Sequence, residues 1–238
     1  MAGTAVIIPA KNEAANISKV LADIRTHLPE ADVIVVDDCS DDDTAETAAA
    51  FPRVTVLRSP ISLGIGGAVQ LGLKFAYNKG YEVFMRMDGD GQHRAESLAS
   101  LVKNVGPGTL VQGSRSHAQF MATSNWVRKA GSLYFHLLFR VFTFQNIPDP
   151  TSGLMCFGRD IASKFSHFYP TDFPEIESLV LLIRSGHRIV SKTVTMEPRQ
   201  SGSSSIGWWH GGVYMLSVTI AFASTFLRDN PYGAAHVH

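Results

Sequence analysis

Cysteine is scarce: Cys39 and Cys156 are the only two in 238 residues, far apart and outside any CxxC spacing. Neither a disulfide framework nor a zinc site is indicated, and the scarcity suits a reducing cytoplasm. Net charge is lacking too, because 21 basic residues cancel 21 acidic ones. Nothing global therefore points to nucleic acid. The glycine fingerprint GxGxxG is missing after the first apolar run, where Pro9-Ala10-Lys11 stands instead, and this ranks a dinucleotide-dependent dehydrogenase last. Met1 to Thr4 carries no basic segment, and Ala5 to Pro9 is too short and too β-branched for a signal peptide. The chain is expected to remain in the cytoplasm.

What is present supports one substantial core, with 45% hydrophobic residues in a length that α/β domains routinely occupy as a single unit. Charge is unevenly spread. Residues 1–113 hold 10 basic and 14 acidic side chains, residues 114–238 hold 11 and 7. A front half rich in carboxylates fits metal handling, and a rear half rich in arginine fits anions or a membrane surface.

Short apolar runs alternate with helical periodicity. Ala5 to Ile8, Val33 to Val36, Val54 to Leu57, Val83 to Met87 and Thr109 to Val111 read as strands, with Leu154 to Phe157 and Ile189 to Met196 further on. Between them, helical spacing is carried by Ile17, Val20, Leu21 and Ile24, by Asp42 to Ala50, and by Val69, Leu71, Leu73 and Phe75. Ser40 with Asp43 resembles a capping box for the second of these helices. Continuous apolar runs alternating with helices predict a mostly parallel sheet covered on both faces. Such sheets bind ligands beyond the carboxyl ends of their strands. Four polar clusters then share one rim: Pro9 to Glu13, Asp37-Asp38, Gly64 to Gly67 and Asp88 to His93.

The sharpest of these is Met87-Asp88-Gly89-Asp90-Gly91-Gln92-His93, where a strand ends in two carboxylates separated by one glycine. Hard oxygen ligands of this kind suit Mg²⁺ or Mn²⁺ completed by substrate phosphates. The competing reading is a plain turn, for which Asp and Gly are the commonest residues.

Taken together, Val6 to Glu13, Val35 to Ser40, Leu63 to Gly66, Met87 to His93, Gly113-Ser114-Arg115 and Arg199 to Ser204 resemble the family-two inverting glycosyltransferases of GT-A fold. Within these, the resemblance is to the polyprenyl-phosphate sugar synthases, the group that includes dolichol-phosphate mannose synthase. It implies that Pro9, Lys11, Asn12, Glu13, Asp37, Asp38, Gly64, Asp88 and Gly89 line a GDP or UDP sugar. It also implies that Asp88, Asp90 and Gln92 hold a Mg²⁺ or Mn²⁺ on the diphosphate. Catalytic roles would fall to Asp90 and to Arg115, Arg128 and Arg199, which gather phosphate groups. Three positions depart from the family pattern: Lys11 where an aromatic residue is usual, Cys39 where glycine is usual, and Ser62 where asparagine is frequent.

The expected organisation is a catalytic domain over 1–207, with 1–113 as nucleotide-sugar half and 114–207 as acceptor half. Residues 208–238 would form an apolar helix and tail that associates with a membrane or with a second copy. The helix, Trp208 to Leu227, is of spanning length but carries His210, two glycines and several hydroxyls. Trp208, Trp209 and Arg228 read as interfacial anchors, and a core helix is the bland alternative. The Arg199 segment reads as a mobile loop. The expected acceptor is a polyprenyl phosphate at the cytoplasmic membrane face. The alternatives are a sugar hydroxyl on a lipid-linked saccharide, needing a base from Asp149, Glu175 or Glu177, and a non-catalytic nucleotide-binding module.

Overall fold

The computed structural model describes residues 3–115, 126–195 and 208–233. Seven strands, β1 (Thr4–Ala10), β2 (Asp32–Asp37), β3 (Val54–Arg58), β4 (Val83–Arg86), β5 (Thr109–Arg115), β6 (Met155–Gly158) and β7 (Arg188–Val194), form one sheet. Their order is β3-β2-β1-β4-β6-β5-β7. Every neighbouring pair is parallel except those made by β6, which runs against both β4 and β5. The helices are α1 (Ala14–His27), α2 (Thr44–Ala49), α3 (Gly64–Asn78), α4 (Ala95–Leu101), α5 (Trp126–Thr143), α6 (Arg159–His167), α7 (Pro174–Arg184) and α8 (Trp208–Leu227).

The central strands are apolar without alternation because helices cover both faces. Along β1, Ala5 and Ile7 join one core with α3, α6, α7 and α8, while Val6 and Ile8 join another with α1, α2 and α4. The period-two geometry of a strand divides its residues in this way. On the first face α3 lies very close to the sheet. A Cβ on Gly72 would stand 2.6 Å from Ile7 Cγ2 and 2.9 Å from Val36 Cγ2, so only glycine permits the approach.

Two helices, α4 and α6, form in stretches to which the sequence reading assigns no element, although Ile161, Ala162 and Phe165 lie on one face of α6. The Ser40–Asp43 capping box does not form. Helix α2 starts later, at Thr44, whose N–H donates to Asp42 Oδ1 at 3.1 Å. The Ser40 hydroxyl instead accepts the Asn12 N–H at 3.0 Å.

One side of α8 is core: Val218, Phe222 and Thr225 are buried, and Phe222 meets Phe139 and Phe142 edge to face. The Thr225 hydroxyl donates to Glu177 Oε2 at 2.8 Å, and Arg184 Nη1 donates to the Thr225 carbonyl at 2.8 Å. The opposite side, with Leu216, Ile220 and Leu227, is exposed. Helix α5 also exposes apolar side chains, Leu133, Leu137, Val141 and Phe142, and Phe144 follows just past its end. Among the described residues no helix is long and apolar enough to cross a membrane.

Candidate active site

Parallel strands β1, β2 and β4 end on one edge of the sheet, and a cavity of about 460 Å³ opens there. Its wall contains Pro9, Lys11, Glu13, Asp38, Gly64, Asp88, Gly89 and Asp90 from the sequence-derived set. Ser62, Ile65 and Ala68 complete one flank. Asn12 and Asp37 stand behind the wall. The Asn12 backbone is left-handed (φ 56°), and its Oδ1 accepts the Asp41 N–H at 2.9 Å, which ties the β1–α1 loop to the β2–α2 loop. Fully buried Asp37 accepts the Ser40 N–H at 3.1 Å and faces Arg58 Nε at 3.3 Å. Cys39, at the position where the resemblance carries glycine, is also left-handed (φ 60°). That conformation explains a preference for glycine there.

The same two loops cap the start of α1. Glu13 N–H donates to Thr44 Oγ1 at 2.8 Å and Ala14 N–H to Asp42 Oδ2 at 3.1 Å. Burial acts to raise the Asp42 pKa, but the hydrogen bonds from Thr44 and Ala14 outweigh it and hold this carboxylate below its ordinary range.

Strand β4 delivers the two carboxylates. Asp88 Oδ1 is buried without a hydrogen-bond partner, 3.6 Å from Arg86 Nη2. Gly153, in the turn that leads into β6, lies close by: an added Cβ there would stand 3.0 Å from Asp88 Oδ2. Asp90 Oδ1 accepts the Gln92 N–H at 3.1 Å, and the Gln92 side-chain amide donates to Asp90 Oδ2. Gln92 thus braces Asp90 through its nitrogen and keeps its own carbonyl oxygen for another partner. Among the described residues no group of three His, Cys, Asp or Glu side chains converges to hold a metal alone. Two carboxylates on one wall, one with an orphaned buried oxygen, fit Mg²⁺ or Mn²⁺, which take one or two protein carboxylates and complete the shell with phosphates and water.

Arg86 is the residue that sequence reasoning missed. Its side chain is 1% exposed inside an otherwise apolar strand. Nη1 donates to the Tyr169 hydroxyl at 3.1 Å and Nη2 to Glu175. Burial acts to lower the Arg86 pKa, but Glu175, then Tyr169 and Asp88, hold the guanidinium firmly charged. The signal available in the sequence was the charge itself, a lone arginine two residues before the first carboxylate. His93 is buried beside Asp88, its Nε2 3.9 Å from Oδ2. Desolvation lowers its pKa against the pull of Asp88 and Asp90, with Arg86 and Arg115 adding to the decrease.

On the acceptor side, Arg115 ends β5 in a two-pronged contact with Asp149, Nε to Oδ2 at 2.8 Å and Nη2 to Oδ1 at 3.1 Å. The other two carboxylates weighed as bases, Glu175 and Glu177, are committed as well. Glu175 holds Arg86, and Glu177 accepts from Thr225 at 2.8 Å, from Arg228 at 3.3 Å and from the Phe173 N–H at 3.3 Å. Arg128 belongs to α5, and Arg199 lies outside the described residues.

With this geometry in place, residues 5–165 match the family model described as Glycosyl transferase family 2. An undecaprenyl-phosphate mannosyltransferase of Micrococcus luteus is 31% identical, over 90% of this chain and 91% of its own. A polyprenol monophosphomannose synthase of Mycolicibacterium smegmatis is 30% identical, over 85% and 80% respectively. Among solved structures, glucosyl-3-phosphoglycerate synthase from Mycobacterium tuberculosis superposes with a TM-score of 0.70 at 21% identity, covering 95% of this chain and 81% of that one. That protein was crystallised with Mn²⁺, UDP and glucosyl-3-phosphoglycerate. At this identity the likeness establishes the shared GT-A fold.

Proposed function

The chain belongs to glycosyl transferase family 2 and is a glycosyltransferase, and from that premise we propose that it moves a sugar from a GDP or UDP sugar to a polyprenyl phosphate at the cytoplasmic face of a membrane. The lipid-phosphate acceptors in the names of its relatives support this reading. The observation that carries it is the engagement of Asp149, Glu175 and Glu177. A sugar hydroxyl must lose a proton as it attacks, and a carboxylate has to take it. Each of these three is instead bound to an arginine. A phosphate acceptor is already anionic and needs positioning without deprotonation.

In this reading the donor lies in the cavity with its diphosphate at Asp88 and Asp90. A Mg²⁺ or Mn²⁺ held there supplies positive charge to the leaving nucleoside diphosphate. The chain's own residues do the rest. Arg86 and the backbone at Gly153 fix the rotamer of Asp88, and Gln92 fixes Asp90. Glu13 and Asp38 line the far end of the cavity, where the base and ribose would sit. The acceptor phosphate oxygen bonds to the anomeric carbon from the face opposite the departing diphosphate, so the configuration inverts. Arg115, with Arg128 and Arg199, supplies the planar donors that match phosphate oxygens.

The exposed apolar surface of α5 and α8 supports peripheral attachment, with Leu133, Leu137, Leu216 and Ile220 facing the lipid. Purified protein, incubated with labelled GDP and UDP sugars, is offered undecaprenyl phosphate and, separately, an undecaprenyl-linked saccharide. The expected product is the glycosylated lipid phosphate, formed only with divalent cation present. Transfer confined to the saccharide-bearing lipid would replace this acceptor by a sugar hydroxyl.

A further inference from the structure

One end of the cavity is a chain of hydrogen bonds that terminates in a lysine. Asp38 Oδ2 accepts from the Ser62 hydroxyl at 2.9 Å and from the Gly64 N–H at 3.1 Å, while Oδ1 accepts the Leu63 N–H. The Ser62 hydroxyl, its single proton given to Asp38, accepts in turn from Lys11 Nζ at 3.0 Å. An ammonium has three donors and no acceptor, so after Ser62 takes one, Lys11 offers only further N–H groups to whatever occupies the cavity.

The backbone on either side of Lys11 is held. Pro9 precedes it by two residues in β1, and Asn12, which follows, is pinned on both sides by Ser40 and Asp41. The neighbouring wall at Pro9 and Ile65 is aliphatic. A flat ring laid against it is read by area alone, whichever ring it is, and discrimination then falls to the polar group at its edge.

Resting on the reading that the cavity holds a nucleoside diphosphate with its phosphates at Asp88 and Asp90, we infer that Lys11 selects the nucleobase. It favours uracil or guanine, whose 4- or 6-position carries a carbonyl, over cytosine or adenine, whose same position carries an amine, when that edge faces the ammonium. A carbonyl accepts from the ammonium. An amine sets donor against donor, so the ammonium keeps only its bond to Ser62 and loses the contact a carbonyl would add.

The test is calorimetric titration of the full chain with UDP, CDP, GDP and ADP in the presence of Mn²⁺, using wild type, Lys11→Met and Lys11→Arg. UDP and CDP differ at the ring edge by a carbonyl exchanged for an amine, as do GDP and ADP in the main. Wild type is expected to prefer UDP over CDP and GDP over ADP by roughly tenfold, the value of one charge-assisted hydrogen bond. Lys11→Met is expected to erase both ratios while retaining Mn²⁺-dependent binding, and Lys11→Arg to keep them. Ratios unchanged in Lys11→Met, or an equal loss for all four nucleotides, would overturn the assignment and leave the proposed function standing. Wild type that bound none of the four would overturn the proposed function, and the role of Lys11 with it.

Discussion

Arg115 and Asp149 meet fork to fork, with both carboxylate oxygens of Asp149 engaged at 2.8 and 3.1 Å. The Thr151 hydroxyl adds a third bond to Asp149 at 2.9 Å. A carboxylate so committed orients an arginine and is not poised to take a proton. Asp149→Asn is therefore expected to raise KM for the lipid phosphate by about tenfold, through a less well held Arg115. The pH profile of kcat should not move. A loss of several orders of magnitude in kcat, with the ascending limb of the profile abolished, would identify Asp149 as a base.

The buried group around Arg86 makes a stability prediction. Removing one partner leaves the other charged and poorly solvated, at a cost of about 3 kcal/mol. Arg86→Met and Glu175→Gln should each lower the unfolding free energy from denaturant titration by that order, and the double variant should lose much less than the sum. Additive losses would mean that the two side chains do not depend on each other.

These two ion pairs also mark where the sequence stops being informative. The strands were legible because apolar runs of four or five residues, bounded by turn residues and alternating with helical spacing, are hard to place anywhere but in a buried sheet. The rim followed from parallel strands ending together, which brought Pro9, Asp38, Gly64 and Asp88 to one cavity. Arg86 could be seen as an odd charge in a strand, but its partner Glu175 is 89 residues away in sequence, and only the packing of α7 over the sheet joins them. The same holds for Arg115 and Asp149. Helices α4 and α6 are short, at seven and nine residues, but the spacing of Ile161, Ala162 and Phe165 was a usable signal for the second. The misplaced capping box had another cause. Ser40 has the right spacing to Asp43, but its hydroxyl meets the Asn12 N–H of a loop distant in sequence, and the first helical N–H, of Thr44, goes to Asp42.

Asp90 stands on the wall with Asp88 and is braced by Gln92. Asp90→Asn should make UDP or GDP affinity insensitive to Mn²⁺, with kcat falling by at least about a hundredfold. Calorimetry with and without the ion reads the first and turnover the second. Affinity that still rises with Mn²⁺ in this variant would return Asp88-Gly89-Asp90 to the status of a simple turn.

The outward side of α8 separates packing from attachment. Leu216 and Ile220 are 62% and 61% exposed, whereas Val218 and Phe222 are buried. Leu216→Glu with Ile220→Glu should reduce sedimentation with anionic lipid vesicles by roughly tenfold or more, the value of withdrawing two aliphatic side chains from the bilayer interface. The melting temperature should stay within about 2 °C, since neither side chain is in the core. Unchanged vesicle binding at an unchanged melting temperature would move the attachment elsewhere on the chain.

Strand β6 enters the sheet at the site edge and runs away from it, so what reaches the rim between β4 and β5 is its incoming turn, Asp149 to Gly153. It acts as a shim. The carboxylates that follow β4 and the arginine that ends β5 are held two strand spacings apart, about 10 Å, with a single turn touching both: Gly153 against Asp88 and Asp149 against Arg115. Any displacement of that turn shifts Asp88 and Arg115 together, so, on the proposed reading, the width of the gap a sugar must cross is set by one five-residue segment.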